Sequence, residues 1–294
     1  MKVIKKPSSL QEITEFLRLT GKRIGFVPTM GALHEGHVSL LLNSSDLCDI
    51  TIASVFVNPI QFTEETDLEK YPRDFKRDYF ICQKANVDYI FYPSVDDMYG
   101  ENYLTEVKVK ELSDKYEGEF RPGHFTGVAS VVLKLLNIVK PHVAFFGQKD
   151  AQQCTVIKKM VTDLNLDTEI IVCDTVRESD GLAKSSRNVF LDETERSNAA
   201  VLYKALELGG DLILGGKYNN SQDVSSQMYH FIKSQVPSAE IQYIAITDNK
   251  LLDEIKDLNN FEGKVLVSLA VKFNGVRLID NILLTKKGIL NHVT

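Results

Sequence analysis

Apolar residues along the chain fall into short continuous runs, separated by longer stretches in which they recur at helical spacing. Residues 24–28 (IGFVP) form a run too brief for a helix and read as a buried strand. Residues 50–57 (ITIASVFV) are continuous and β-branched, which suits a central strand of a parallel sheet. Strand-like runs recur at 88–92, 143–146 and 168–173, and helical patterns fill 37–48, 75–85, 126–139 and 151–165. Ahead of them, Ser9 and Glu12 have the spacing of a capping box for a helix running to Leu19, with Gly21 beyond it. Strand–helix alternation of this kind predicts crossover units and an α/β fold with a doubly wound parallel sheet.

After about Val176 the pattern changes. Helical stretches at 193–208 and 222–235 flank Gly215-Gly216, and strand-like runs follow at 241–247, 265–273 and 276–284. Asn274-Gly275 between the last two is the signal of a tight hairpin turn. The expectation is therefore a smaller C-terminal α+β domain, with the chain divided into 1–183 and 184–294. There is no internal repeat and no low-complexity tract.

Composition narrows the classes. The formal net charge of −6 argues against a protein that tracks a nucleic-acid backbone, since such affinity rests on clustered Lys and Arg. Cys48, Cys82, Cys154 and Cys173 are widely spaced, with neither a CxxC pair nor a Cys/His cluster, so reduced thiols in a cytoplasmic protein are expected. The opening MKVIKKPSSLQEITEF has no apolar region behind its lysines, and no stretch is long and apolar enough to span a membrane.

Candidate chemistry gathers where predicted strands end. Pro28-Thr29-Met30-Gly31-Ala32-Leu33-His34-Glu35-Gly36-His37 leaves the first run and opens a helix. Doubly wound proteins bind ligands there, outside the carboxyl end of a strand and beside a helix N-terminus. His34 and His37 can donate ring N–H bonds to a phosphate, and charge building on a reacting phosphorus strengthens such bonds. Gly31 and Gly36 leave room for close backbone approach. Taken alone, the histidines also read as surface polar residues, and a zinc site lacks a third ligand. A second turn, Gly147-Gln148-Lys149-Asp150, offers a point charge for phosphate and a carboxylate that either accepts from ribose or caps the next helix. Residues 176–188 (VRESDGLAKSSRN) suit a triphosphate or a solvated interdomain linker equally. Residues 56–62 (FVNPIQF) set Asn58 and Gln61 between aromatics, and neutral amides of this kind orient hydroxyls and carboxylates.

PTMGALHEGH, FVNPIQF, RPGHFTGV, FGQKDAQQ and VRESDGLAKSSRN, in this order and spacing, resemble the pantothenate synthetase family over essentially the whole chain. The HxGH element is also shared with the wider nucleotidylyltransferase and class I aminoacyl-tRNA synthetase superfamily. The resemblance implies a Rossmann-like N-terminal domain, a smaller C-terminal domain closing over it, and a homodimer. It implies that ATP is held by Met30, Gly31, Ala32, Leu33, His34, Glu35, Gly36 and His37, with His34 and His37 on the phosphates and His37 the catalytic residue. Gly147, Gln148, Lys149 and Asp150 would hold ribose and phosphates, and Val176 the adenine. Lys184, Ser185, Ser186 and Arg187 correspond to the phosphate loop. Gln61, Gln153 and Asn58 would bind pantoate, with Val128, Val131 and Val132 enclosing its methyl groups. One departure is visible: Lys184 stands where the family commonly has Met.

The reaction so implied is ATP-dependent condensation of pantoate with β-alanine through a pantoyl-adenylate, with Mg²⁺ on the β- and γ-phosphates and no metal ligand set in the protein. A nucleotidylyltransferase that leaves the nucleotide on its product, and an ATP-sensing module without turnover, are the rival readings. Residues 63–78, rich in charge, are a candidate lid.

Overall fold

The computed structural model describes residues 1–259 and 263–290. Its larger sheet contains β1 (Lys2–Ile4), β2 (Ile24–Thr29), β3 (Ile50–Val55), β4 (Tyr89–Phe91), β5 (Val143–Gly147) and β6 (Glu169–Cys173). All pair in parallel, in the order β1-β4-β3-β2-β5-β6. The period-2 alternation of strand side chains divides this sheet between two cores. Phe26, Ile52, Ala144 and Phe146 pack on one face with the helices Pro7–Leu19, His124–Val139 and Ala151–Asp163. Val27, Ala53, Val55, Val143 and Phe145 pack on the other with the helices Glu35–Leu47 and Phe75–Lys84. With both faces covered, the inner strands are continuously apolar, which is why the sequence shows runs there rather than alternation.

The chain passes from β2 outward to β3 and β4, then returns to place β5 on the other side of β2. That reversal opens a crevice at the carboxyl ends of β2 and β5, where a Rossmann-like sheet takes its ligand.

The smaller unit is an antiparallel sheet of β7 (Glu240–Asp248), β8 (Val265–Phe273), β9 (Val276–Thr285) and β10 (Gly288–Leu290), in the order β10-β9-β8-β7. It packs against the helices Val201–Leu214 and Ser221–Gln235 around a separate core. Asn274 and Gly275 adopt φ of 45° and 87°, the pair of left-handed positions that a two-residue hairpin requires.

Three local expectations need correction. The first helix starts at Pro7, not at a Ser9 cap: the fixed φ of Pro suits the first helical position, so Ser9 and Glu12 lie inside the helix and no capping box forms. The helical stretch expected at 193–208 is two helices, Glu193–Ala199 and Val201–Leu214, the second extending past 208 to Leu214 with Gly215 as its cap. The short edge strand β1 was not foreseen, because its residues are too few and too exposed to leave an apolar pattern.

Candidate active site

The turn after β2 is built by its own hydrogen bonds. His34 caps the Glu35–Leu47 helix, its Nδ1 accepting from the Gly36 N–H at 3.1 Å. The His34 N–H donates in turn to His37 Nδ1 at 3.2 Å. Both Nδ1 atoms are acceptors, so in the neutral rings the proton sits on Nε2 of each. The ring centroids lie 4.2 Å apart. Burial, with the Lys149 charge nearby, lowers His34 from 6.5 to about 4. Burial and then His34 lower His37 to about 3. At neutral pH the pair is therefore two uncharged N–H donors rather than two cations.

Behind this turn, the buried Asp78 carboxylate accepts from the Ala32 N–H at 3.0 Å and the Leu33 N–H at 2.8 Å. Burial raises its pKa against those bonds. Gly31, Ala32 and Leu33 thus serve the wall of the turn, while Met30, His34, Gly36 and His37 line the cleft in front of it.

After β3, Asn58 is almost wholly buried, and its Nδ2 donates to Gln61 Oε1 at 2.9 Å and to the Gly127 carbonyl at 3.2 Å. Tyr99 donates its hydroxyl to Asn58 Oδ1 at 2.7 Å. This chain fixes the Gln61 amide with its NH₂ turned towards Met30 Sδ, 3.1 Å away. Asn58 and Gln61 both line the cleft, with Asn58 fixing the orientation of the Gln61 amide. Gly127 allows the helix to sit so close: a Cβ there would stand 2.5 Å from the Ile60 carbonyl oxygen and 2.7 Å from Gln61 Cα.

After β5, Lys149, Asp150 and Gln153 line the same cleft, while Gln148 turns away and donates to Asn281 Oδ1 of β9 at 2.8 Å. From the third segment, Val176, Lys184, Ser185, Ser186 and Arg187 line it too. Lys184 is held by Glu178 at 2.8 Å and by the exposed Glu35 at 3.4 Å. Arg187 pairs with Asp67 at 3.0 Å, which ties the loop to the Glu65–Lys70 helix in the segment expected to form a lid. Val128, Val131 and Val132 make the apolar wall. The cavity so lined has a volume of about 200 Å³.

The sequence profile of the family described as pantoate-beta-alanine ligase matches residues 2–283. The pantothenate synthetase of Caldicellulosiruptor bescii is 52% identical over 98% of this chain and 100% of its own length. That of Thermodesulfovibrio yellowstonii is 50% identical over 96% of this chain and 99% of its own. The chain belongs to the pantoate–β-alanine ligase family. It is an amide-forming ligase of pantothenate biosynthesis. The crystal structure of pantothenate synthetase from Thermus thermophilus superposes with a TM-score of 0.87 at 38% identity, covering 96% of this chain and 98% of that one. A pantoate-beta-alanine ligase from Francisella tularensis, complexed with beta-gamma ATP and beta-alanine, gives 0.78 at 35% identity, covering 98% of each chain.

Several residues of this ligase escaped the sequence reading. Asp78 left a trace, since helical spacing places a carboxylate beside buried Cys82. Asp280 and Asn281 also left one, as a polar pair inside the apolar run of β9. Asp280 binds Arg177 at 2.6 and 3.0 Å, and Asn281 Nδ2 donates to the Gln148 and Lys149 carbonyls at 3.0 and 2.9 Å. Tyr71, which lines the cleft, left no signal. Among the described residues no group of three or more His, Cys, Asp and Glu is arranged to hold a metal ion, and no helix is long and apolar enough to cross a membrane.

Proposed function

We propose that the ligase activates pantoate as its adenylate within this cleft and then transfers the acyl group to β-alanine. The observation that carries the reading is the convergence of two neutral histidine donors, Lys149 and Arg187 on one cleft that also holds Gln61 and Gln153.

A pantoate carboxylate oxygen attacks the α-phosphorus of ATP; the bond to the β-phosphate oxygen breaks and pyrophosphate leaves. The β-alanine amine then attacks the acyl carbon, its bond to AMP breaks, and the amine loses a proton. The first step turns an oxide, a poor leaving group, into AMP. Its requirements are positioning and stabilisation of charge on the phosphates. His34 and His37 Nε2–H donors would serve that charge, with Lys149, Lys184, Ser185, Ser186 and Arg187 holding the phosphates. Gly147 and Asp150 would receive the ribose and the Val176 backbone the adenine. Gln61 and Gln153 would bind pantoate against Val128, Val131 and Val132. Mg²⁺ would arrive on the triphosphate as part of the substrate.

We place the domain boundary at 183/184, within the connection that follows β6; Leu182, just before it, already packs into the C-terminal core. A homodimer and a cytoplasmic location are proposed on the family likeness alone; light scattering at several protein concentrations and cell fractionation test them.

The deciding experiment is ATP–pyrophosphate exchange with Mg²⁺ and no β-alanine. Exchange that depends on pantoate is expected, and its absence from folded protein overturns the adenylate route. The His37→Ala variant should exchange on the order of 10²–10³ more slowly; near-normal exchange removes the histidine assignment.

A further inference from the structure

A third histidine lies behind the cleft, outside the HxGH turn. His124 opens the His124–Val139 helix and is buried. Arg121 Nη1 lies 3.0 Å from His124 Nε2, and since a guanidinium only donates, Nε2 is the acceptor. The ring proton is therefore on Nδ1, which stands 2.7 Å from the Gln61 carbonyl oxygen and donates to it. This is the opposite tautomer to that of His34 and His37. Arg121 is itself fixed, because Nη1 also meets the buried Glu117 carboxylate at 3.2 Å. Glu117 binds Arg277 of β9 at the same 3.2 Å.

Gln61 is thus held at both ends. Asn58 sets its side-chain amide, and His124 sets the main chain from which that side chain projects. The turn that bears it, Pro59–Gln61, is a single 3₁₀ turn with little structure of its own to fix it. A small drift of this backbone would carry the Gln61 NH₂ away from a substrate oxygen.

We infer that His124 is a positioning residue for pantoate, acting through the main chain of Gln61. The inference rests on the reading of Gln61 as a pantoate ligand. The effect belongs to the pantoate site, whereas loss of a structural residue would lower activity towards both substrates or reduce the folded fraction.

The test is steady-state kinetics on His124→Ala, His124→Asn and His124→Gln, with Gln61→Ala as the control. An Asn amide nitrogen falls near the Nδ1 position and restores the donor to Gln61, while Gln reaches the Nε2 position instead. His124→Ala is expected to raise KM for pantoate on the order of tenfold, as loss of one buried hydrogen bond does, and to leave KM for ATP within about twofold. His124→Asn should recover most of the pantoate KM and His124→Gln should not, a comparison that survives if the Ala variant folds poorly. Equal behaviour of Asn and Gln, or an unchanged pantoate KM in His124→Ala while Gln61→Ala raises it, overturns the inference. If Gln61→Ala itself leaves pantoate KM unchanged, the fault lies in the assignment of Gln61, and the role of His124 falls with it.

Discussion

In the His34–His37 pair, Nδ1 of each ring is taken up by the fold, and Nε2 carries the proton that the proposed chemistry would use. Burial keeps both rings neutral, which suits donors that must not repel Lys149 next to them. The same burial gives the protein a pH dependence. His34, His37 and His124 titrate at about 4, 3 and 4 in the folded chain, against 6.5 for a free ring. Between those values the unfolded chain binds protons that the folded chain does not, so acid favours unfolding. Their contribution is fully present above about pH 6.5 and is lost as pH falls towards 4 and below. Asp78, shifted upward by burial, opposes this in part, since its folded form takes up a proton first. Denaturant midpoints should therefore hold from about pH 7.5 to about pH 6.5 and then fall steadily to about pH 5; a flat profile throughout contradicts neutral buried rings. At this scale the two histidines stood out as candidates through their strand–HxGH–helix context, which is local in sequence. Asp78 and His124 were not read as site residues, since their partners lie 45 and 63 positions away.

Among the elements, the helix His124–Val139 has the largest part in shaping the site. Its first turn holds Gln61, Gly127 lets it touch the Pro59–Gln61 turn, and its valines wall the cleft. Most of its residues are buried, consistent with an element covered on nearly every side. Adding one methyl in Gly127→Ala forces the helix off the turn, since the obstructing atoms are backbone and cannot rotate aside. Overpacking of this kind costs about 1–3 kcal/mol. Thermal unfolding should register that loss together with a raised pantoate KM; an unaltered melting temperature and KM would mean the turn yields freely. The apolar run of this helix was readable in the sequence. Its start was expected at 126 and lies at His124, because Gly123 in the left-handed conformation ends the preceding turn earlier.

For the molecule as a whole, the contacts between the two units matter most. Arg177–Asp280, Gln148–Asn281 and Arg277–Glu117 join the segment after β6, the turn after β5 and the helix Glu117–Phe120 to β9, so the C-terminal sheet backs the cleft. Burial alone would raise Glu117, but the Arg277 charge and its neighbours outweigh it and hold the carboxylate ionised. Arg277→Met leaves that buried carboxylate paired with Arg121 alone and removes one tie between the two units. Breaking a buried pair from one side costs on the order of 3 kcal/mol. Urea unfolding of Arg277→Met should show a loss of this size, and a change below about 0.5 kcal/mol would place Glu117 in contact with water.

Periodicity and turn chemistry depend on neighbours a few residues apart, so the order of amino acids was enough to establish the parallel sheet, the Asn274-Gly275 hairpin and the four segments that meet at the cleft. The resemblance then assigned roles within those segments. It took the packed chain to establish that His34 and His37 carry their protons on Nε2, that Asn58 donates to the Gln61 amide, and that Gln148 faces β9 rather than the cleft. Each of those outcomes depends on a hydrogen-bond partner or a degree of burial, and both arise only when distant parts of the chain have come together.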